Sequence, residues 1–403
     1  MSASQRPCRL AVLITHPIQY FRPVFAELAA DPELELLVLF GCDHGQRQSM
    51  DPDFRVAFAW DSDLTEGFPH VFMSQRPLAD LSRWSVAWPL AWAARERLRT
   101  FRPDRVLVFA YTPAWITAVT LLLRLSGQRL FLRADGTDRA FQRSRLKSLF
   151  KDLLLQRWYR QFDHIFPIGS DSLDHFRRLG VKPQALTSVR YSVDVDFFAD
   201  QVRTWMPQRP ALRLEQGFSG QELVLLWSAK MTAPKHPTLL LEALMLLPES
   251  LRSRFCLLAV GDGPLRQRFE EQAGEILPGR CRFLGFQNQG SLGAFYVMAD
   301  VLVFPSQQGE TWGLVVNEAL QFGCAVITSD HAGSARDLVA APAPSPPGSA
   351  VFASKDAAAM AEALSRFAAL HPRGFTPEPI RGLPHPRDLA QAVSAVLKAS
   401  CRA

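Results

Sequence analysis

The fold is most clearly indicated by the stretch VLVFPSQQGETWGLVVNEALQFGCAVITS, residues 301–329. Its first and last segments, VLVFPS and AVITS, are short apolar runs typical of buried strands, and residues 313–322 between them have helical character. A strand, a helix and a second strand in close succession predict a parallel β-α-β unit.

Two glutamates, Glu310 and Glu318, lie within this unit. If the helix begins near Gly313, Glu310 precedes it and Glu318 lies about a turn and a half inside it. Eight helical residues would separate the two by about 12 Å and rotate them about 80° apart. This geometry suits two contacts with an elongated ligand better than one shared proton. The alternative is that Glu310 complements the helix dipole and Glu318 is a solvated helix residue.

The same alternation of strands and helices runs through both halves of the chain, including a strand expected near residues 186–191. A proline-containing segment, residues 196–218, interrupts this alternation of strands and helices. We therefore expect an α/β fold of two tandem doubly wound, Rossmann-like domains that face a cleft. The expected boundaries are 1–195 for the first domain, 196–218 for the linker, 219–385 for the second domain, and 386–403 for a final helix that is a candidate to pack back on the first domain.

The composition is that of a globular protein, with 48% hydrophobic and 21% charged residues in 403. Six scattered cysteines without a C-x-x-C pair favour a reduced, cytoplasmic compartment, and the N-terminus does not read as a signal peptide. Residues 106–123 carry no charge, which is borderline for a membrane span. We expect a buried strand followed by a packed helix there, because the first part is β-rich and ends in Thr-Pro.

Positive charge is concentrated in one segment. Residues 83–160 contain sixteen Arg and Lys against five acids, whereas residues 1–82 contain six Arg against eleven acids. This asymmetry predicts an anionic partner. Lipid headgroups of an anionic membrane and a lipid-linked phosphate are favoured over nucleic acid, because no nucleic-acid-binding motif accompanies the charge. We therefore expect a protein peripheral to the inner face of the plasma membrane.

Two features of this segment have alternative interpretations. A long helix is expected over residues 141–162, with apolar positions at 146, 149, 150, 153, 154 and 158 among basic residues. It could lie on a membrane or pack its apolar stripe on the sheet. Trp84, Trp88 and Trp92, at four-residue spacing, favour packing over a platform for an acceptor.

Further polar motifs follow the strands of the second half. Lys230 and Lys235 lie on a proline-containing loop, where two ammonium groups suit a diphosphate and can offset charge on a leaving phosphate. Gly261 and Gly263 follow the next strand, where glycine permits a tight turn or a close approach to a ligand. The helix near Gly313 adds backbone N–H groups suited to phosphate. These three features in succession are more specific than any one alone.

Together, these motifs resemble those of the retaining glycosyltransferases of family 4 (glycosyl transferases group 1), which have the two-domain GT-B fold. The resemblance covers nearly the whole chain and is strongest over residues 223–339. Its main signature is the glutamate pair near the end of a Pro-Ser run, and the matching residues here are Pro305, Ser306, Glu310, Thr311, Gly313 and Glu318.

The resemblance implies that Lys230, Lys235 and Glu310 are catalytic. Glu310 would hold hydroxyls of the donor sugar, Glu318 would hold the ribose, and the two lysines would neutralise the diphosphate. The remaining implied donor-binding residues are Gly261, Phe286, Thr311, Trp312, Gly313, Leu314 and Val315. The donor would be a UDP- or GDP-linked sugar, and the acceptor a saccharide or a lipid-linked molecule of cell-surface polysaccharide or glycolipid biosynthesis.

Two positions depart from the family pattern. Lys230 stands where arginine is usual, which keeps the charge but loses the bidentate contact with phosphate. THPIQYF, residues 15–21, replaces the usual glycine-rich loop. His16 and Gln19 are therefore candidates for the phosphate or acceptor side of the cleft, although a lone histidine after a strand is often structural. Arg133 and Asp135 are candidates for the same side.

No required metal or other cofactor is expected. Asp-x-Asp triplets occur at residues 51–53, 61–63 and 194–196, but none lies among the implied donor motifs. A sugar-nucleotide epimerase of the same fold and a non-catalytic nucleotide-sugar-binding protein remain alternatives to the transferase.

Overall fold

The structure is a computed structural model, and it describes residues 6–46, 49–50, 57–58, 63–110, 112–139, 145–218, 221–307, 309–340 and 345–402. Two six-stranded sheets, both entirely parallel, form the centres of two domains. The predicted tandem α/β architecture is therefore confirmed.

The first sheet has the strand order β5-β2-β1-β6-β7-β8. Its strands are β1 (Cys8–Ile14), β2 (Leu34–Phe40), β5 (His70–Phe72), β6 (Arg105–Phe109), β7 (Leu130–Ala134) and β8 (His164–Pro167), and β3 (Ser49–Met50) and β4 (Ala57–Phe58) form a separate antiparallel pair. The helices are α1 (Arg22–Ala30), α2 (Trp84–Phe101), α3 (Ala114–Leu125), α4 (Arg145–Tyr159) and α5 (Gly169–Arg178).

The second sheet has the order β11-β10-β9-β12-β13-β14. Its strands are β9 (Leu223–Ser228), β10 (Phe255–Val260), β11 (Cys281–Phe283), β12 (Val301–Phe304), β13 (Ala325–Ser329) and β14 (Ala350–Phe352). Its helices are α8 (Pro237–Met245), α9 (Glu249–Arg252), α10 (Arg266–Ile276), α11 (Gln289–Met298), α12 (Leu314–Gln321) and α13 (Ala357–Leu370), with a π-helical turn at Ala335–Val339.

The segment between the domains is helical. Helices α6 (Val195–Trp205) and α7 (Arg209–Glu215) pack against α11, and α6 also contacts α12. Asp194 caps the N-terminus of α6, because its carboxylate accepts a 3.1 Å hydrogen bond from the Phe197 backbone N–H. Helix α14 (Pro386–Arg402) ends the described chain and packs on α1 and β1 of the first domain.

Some sequence expectations differ from the structure in detail. The strand expected near residues 186–191 is reduced to two isolated bridges, at Leu186 and Val189. Helix α4 covers residues 145–159 of the expected 141–162, and residues 141–144 lie outside the described part. The uncharged stretch 106–123 forms most of β6 and α3, as predicted. Among the described residues, no helix combines the length and hydropathy needed to cross a bilayer.

Aromatic side chains join the two domains at the base of the cleft. The rings of Phe21 and Tyr191 stack at 5.6 Å, and the Tyr191 ring lies 6.3 Å from that of Trp312 in the second domain. Phe198 of α6 meets Phe322 at 5.9 Å. One continuous hydrophobic cluster therefore extends through both domains and fixes the loops at the carboxyl ends of both sheets.

Candidate active site

An ion pair lies at the carboxyl edge of the second sheet. Strands β9 and β12 are parallel neighbours, so the loops that follow them meet. The ammonium group of Lys235, from the loop after β9, pairs with the carboxylate of Glu310, from the loop after β12. The hydroxyl of Ser306 donates a 3.1 Å hydrogen bond to the same carboxylate oxygen of Glu310. The side chains of Lys235 and Glu310 are 27% and 11% exposed, which leaves the pair sheltered but open to a ligand.

Lys230 lies on the same loop, two residues after β9 ends, and is half-buried. Gly261, after the neighbouring strand β10, has a φ of +126°, and a Cβ there would lie 2.2 Å from the carbonyl oxygen of Ala229. Its backbone N–H also donates to the carbonyl of Gly285, in the loop that contains Phe286. The loops after β9, β10 and β11 therefore meet at Gly261. A glycine is required there because the backbone of Ala229 leaves no room for a side chain.

Helix α12 begins beside the ion pair. Gly313 precedes it in a left-handed conformation, with a φ of +88°, and a Cβ there would lie 2.6 Å from the ring of Phe304. Within the described residues, no side chain caps this helix end. The first backbone N–H groups of a helix lack intrahelical acceptors. The N–H groups of Gly313, Leu314 and Val315 are therefore suited to an anionic group.

Glu318 is buried between two tyrosines, with 4% of its surface exposed. The hydroxyl of Tyr296, on α11, donates a 2.6 Å hydrogen bond to Oε2, and the hydroxyl of Tyr20, in the first domain, donates a 2.8 Å hydrogen bond to Oε1. Burial raises the pKa of Glu318, while the two hydrogen bonds oppose that shift. The alternative of a solvated helix residue is therefore wrong for Glu318.

Neither tyrosine was predicted as a site residue from the sequence. Tyr20 belongs to THPIQYF, the segment that departs from the family pattern, and that departure was the available signal. Tyr296 lies within a helix whose pattern indicated packing only. Both carboxylate oxygens of Glu318 accept hydrogen bonds in this structure, and one of the two donors comes across the cleft.

His16 and Gln19, two of the first-domain candidates, lie in the segment that follows β1. His16 is 2.9 Å from the hydroxyl of Thr15, and its ring is 5.3 Å from that of His44. Burial, together with the nearby His44, lowers the pKa of His16 to about 4. Gln19 is next to Tyr20 in the chain, and its side-chain oxygen is buried without a hydrogen-bond partner among the described residues.

Arg133 and Asp135 lie at the end of β7. The guanidinium of Arg133 is buried over the rings of Tyr191, at 4.3 Å, and Phe21, at 4.8 Å. One of its nitrogens is 3.8 Å from the carboxylate of Asp135. The hydroxyl of Thr311 donates a 3.4 Å hydrogen bond to that carboxylate from the second domain. Asp135 thus reaches the donor-side loop directly, whereas Arg133 is held within the aromatic cluster.

A second set of contacts ties the domains on one side of this site. The carboxylate of Asp337 accepts hydrogen bonds from the backbone N–H and the hydroxyl of Ser170, at 2.9 and 2.7 Å. The side-chain amide of Asn317 donates to the Tyr191 carbonyl at 2.8 Å, and its oxygen accepts a 2.7 Å bond from the indole of Trp312. The side chain of Asn317 therefore links the start of α12 to the first domain.

Within the described residues, no group of three or more His, Cys, Asp and Glu side chains is placed to hold a metal ion. Of the Asp-x-Asp triplets, Asp194 caps α6 and pairs with Arg22 at 3.6 Å. Asp51, Asp53 and Asp61 lie outside the described residues. The absence of a metal requirement stays a prediction.

Two parallel-sheet domains that face a cleft, with polar loops at the carboxyl ends of both sheets, define the GT-B glycosyltransferase fold. Residues 208–372 match the family described as Glycosyl transferases group 1. The group 1 resemblance is therefore confirmed for the second domain, while membership of family 4 stays a prediction.

The curated proteins include a relative with a related sequence. The lipopolysaccharide 1,2-N-acetylglucosaminetransferase of Salmonella typhimurium is 30% identical over 130 residues, which are 30% of this chain. The matched stretch spans 34% of that relative, about a third of its length.

Solved structures share the fold over almost the whole chain. The structure of Anabaena HepE in complex with UDP and glucose has a TM-score of 0.63 and 14% identity, covering 97% of this chain and all of HepE (100%). WaaG, a glycosyltransferase involved in lipopolysaccharide biosynthesis, has a TM-score of 0.59 and 17% identity, covering 95% of this chain and 99% of WaaG. A glycosyltransferase from Rickettsia africae has a TM-score of 0.64 and 13% identity, covering 98% and 93%. These likenesses establish the fold, and the group 1 match supports sugar transfer.

Proposed function

We propose that the protein is a retaining, metal-independent glycosyltransferase that moves a sugar from a UDP- or GDP-linked donor to a saccharide or lipid-linked acceptor. The observation that carries the proposal is the pairing of Lys235 with Glu310 beside the start of α12. This arrangement puts a cation, a carboxylate and the first backbone N–H groups of α12 within one small site, which suits a sugar joined to a diphosphate. The group 1 match over residues 208–372 supports the same chemistry.

In the proposed reaction, an acceptor hydroxyl oxygen forms a bond to the anomeric carbon of the donor sugar. The bond from that carbon to the diphosphate oxygen breaks, its electron pair stays with the diphosphate, and the hydroxyl proton passes to the departing oxygen on the same face. Lys230 and Lys235 would stabilise the negative charge that develops on the diphosphate, together with the backbone N–H groups of residues 313–315. Glu310 would orient the sugar hydroxyls.

Glu318 would bind the ribose hydroxyls, which requires an open carboxylate oxygen. In the structure described, Tyr20 donates to one of these oxygens across the cleft. We therefore propose that Tyr20 moves away from Glu318 when the donor binds. Gly261 and Phe286 would lie near the base, since their loops converge on the same edge of the sheet.

A thermal-shift screen of UDP- and GDP-linked sugars tests the donor site. Selective binding to the native state raises the melting temperature, so at least one nucleotide sugar should stabilise the protein. Glu318→Ala should reduce that shift, and Leu370→Glu, at an exposed position of the second domain, should leave it unchanged. An equal shift for Glu318→Ala and the wild type would exclude the ribose role.

Turnover of the selected donor tests the reaction class. Release of the nucleoside diphosphate only when an acceptor is present supports transfer. Conversion of one sugar nucleotide into another would show an epimerase instead. Binding without turnover across a broad set of acceptors would favour a non-catalytic protein.

We further propose that the protein works at the cytoplasmic face of an anionic membrane, in cell-surface polysaccharide or glycolipid biosynthesis. Helix α2 exposes Trp84, Trp88 and Trp92, and the segment 83–160 carries the excess of basic residues. Co-sedimentation with vesicles that contain phosphatidylglycerol should be strong at low ionic strength and weaken as salt is added. Failure to co-sediment at low ionic strength would exclude this location.

A further inference from the structure

A cavity of about 490 Å³ opens in the first domain beside the proposed donor site. Its walls are the loop after β7 (134–138) and the facing sides of α4 and α5, and Thr311 of the second domain lines it as well. Thr311 follows Glu310 directly in the chain. A molecule in this cavity would therefore lie next to a donor sugar held by Glu310.

Helix α4 buries Leu155 and Tyr159 in the core and exposes a second apolar face to solvent. Ser148, Lys151, Asp152 and Leu155 line the cavity. The opposite face carries four apolar side chains that are between 54% and 67% exposed, namely Leu149, Phe150, Leu153 and Leu154. A surface helix of a globular protein normally turns its apolar stripe toward the core. The expectation that the long helix packs this stripe on the sheet is therefore wrong for these four residues.

The charges around the cavity indicate the kind of molecule that it accepts. Among the described residues, three carboxylates line it, from Asp135, Asp138 and Asp152, against the two cations of Lys151 and Arg178. Arg178 is already bound to both Asp138, at 2.7 Å, and Asp152.

His175, which also lines the cavity, adds no positive charge near neutral pH, because burial lowers its pKa. Arg133 pairs with Asp135 at 3.8 Å, so the described charges around the cavity balance. This balance disfavours a phosphate or a carboxylate. It suits a neutral saccharide, whose hydroxyls can donate to the carboxylates.

The outer face of α4 indicates where such a saccharide comes from. Arg157 lies within the exposed apolar stripe, and Arg160 follows at its end. Helix α2, which covers the same side of the first sheet, exposes its three tryptophans and contacts α3. Exposed apolar side chains, tryptophans and arginines together are suited to the surface of an anionic bilayer. A free, water-soluble saccharide would need none of them.

We propose that this cavity binds the neutral saccharide head group of a glycolipid acceptor while the outer face of α4 lies in the bilayer surface. The bilayer then lies on one side of α4 and the cavity on the other, one helix width apart. The proposal rests on the proposed transferase function, and it assigns the acceptor side to residues of α4 and α5 that the sequence analysis did not select.

The test uses the full chain and the donor found by thermal shift. The acceptors are dodecyl glycosides of glucose, galactose, mannose and N-acetylglucosamine in vesicles of phosphatidylcholine and phosphatidylglycerol, each compared with its methyl glycoside in solution. Dodecyl glucuronide provides the anionic comparison. Release of the nucleoside diphosphate gives separate KM values for acceptor and donor.

Three variants distinguish the two faces of α4. Ser148→Trp fills the cavity, Leu153→Glu charges the outer face, and Leu370→Glu is the matched control, since residues 153 and 370 are 61% and 58% exposed. Asp152→Asn is a second cavity variant in case Ser148→Trp does not fold.

We expect at least one neutral dodecyl glycoside to be used with a KM at least about tenfold below that of its methyl counterpart and of the glucuronide. The cavity variants should raise the acceptor KM about tenfold and leave the donor-induced thermal shift unchanged. Leu153→Glu should raise the KM of the dodecyl glycoside to that of its methyl counterpart and leave the rate with the methyl glycoside unchanged. Leu370→Glu should behave as the wild type.

The proposal is overturned if the folded cavity variants keep the wild-type acceptor KM, if dodecyl and methyl glycosides serve equally, or if the glucuronide is used as well as the neutral compounds. It is also overturned if the enzyme transfers sugar to a methyl glycoside or to the glucuronide but to none of the neutral dodecyl glycosides. Failure of the transferase function itself gives a different result, because the wild type would then bind no nucleotide sugar, or would bind one and release nucleoside diphosphate with none of the acceptors, the methyl glycosides and the glucuronide included.

Discussion

The hydroxyl of Tyr20 donates a 2.8 Å hydrogen bond to Glu318 although the two residues are 298 positions apart in the chain. Tyr20 belongs to the first domain and Glu318 to the second, so this bond spans the cleft at the position proposed for the donor ribose. The second oxygen of Glu318 accepts from Tyr296, which lies in the same domain as Glu318. Tyr20 therefore bonds Glu318 from the opposite domain, whereas Tyr296 bonds it from within the same domain, and substitution of each tyrosine separates the two cases.

Tyr20→Phe should strengthen the binding of the donor. The variant removes the bond that ribose hydroxyls would have to replace, and a hydrogen bond to a charged group is worth about 1.5–3 kcal/mol. We expect a Kd for the nucleoside diphosphate at least about tenfold lower, measured by isothermal titration calorimetry. Tyr296→Phe is the control, since it removes a bond to the same carboxylate without opening the cleft. A 2′,3′-dideoxy nucleotide should gain nothing from Tyr20→Phe, and an equal gain would contradict the competition with ribose.

Lys235→Ala should lower kcat far more than it weakens donor binding. Its ammonium is paired with Glu310 and would face the departing diphosphate, so the loss falls mainly on the transition state. By analogy with the removal of one preorganised stabilising group, we expect kcat to fall by about 10²–10³-fold. Lys182→Ala, an exposed lysine of the first domain, is the control. An unchanged kcat in Lys235→Ala would show that Lys235 takes no part in the reaction.

Gly261→Ala should destabilise the second domain. The added Cβ would lie 2.2 Å from the Ala229 carbonyl oxygen, at a φ of +126° that alanine rarely adopts. We expect a loss of more than about 3 kcal/mol in the free energy of unfolding, measured by urea denaturation. Gly274→Ala is the opposite case, because Gly274 lies within α10 with no neighbour close to a Cβ, and it should gain about 0.5–1 kcal/mol. Equal effects from the two substitutions would contradict this account.

His16 should make the protein less stable in mild acid. Its pKa is lowered from 6.5 to about 4 in the folded protein. Between these pH values the unfolded chain binds a proton that the folded protein excludes, so the free energy of unfolding falls as the pH falls. The contribution is up to about 1.4 kcal/mol for each pH unit.

Urea denaturation of the wild type and His16→Gln across this window isolates that contribution, since the other histidines titrate in both proteins. Identical pH dependence in the two would contradict the buried, neutral state of His16.

The sequence predicted the architecture well because each β-α-β unit is encoded locally. VLVF and AVITS are strands, and the helix between them begins at Leu314, directly after the glycine expected to start it. The strand expected near residues 186–191 failed for a non-local reason. Leu186 and Val189 each make only one bridge, to Ile165 and Ile168, and this is too little pairing to form a ladder.

The candidate site was predictable only in part, because its contacts join distant segments. The spacing of Glu310 and Glu318 indicated two separate roles, and the structure gives one a lysine partner and the other two tyrosines. The pattern of α4 showed an apolar stripe but could not show which way it faces. That direction depends on the cavity between α4 and α5, which is a property of tertiary packing.

Helix α14 has a consequence for how the first domain can be made and studied. Its seventeen residues come from the end of the chain, yet they cover α1, and Lys398 pairs with Asp31 at 2.8 Å while Arg387 pairs with Glu27 at 2.8 Å. A fragment that stops at the domain boundary would leave the apolar side of α1 bare and prone to aggregate. The chain also crosses twice between the domains, once before α6 and once before α14. Any opening of the cleft must therefore bend both of these connecting segments.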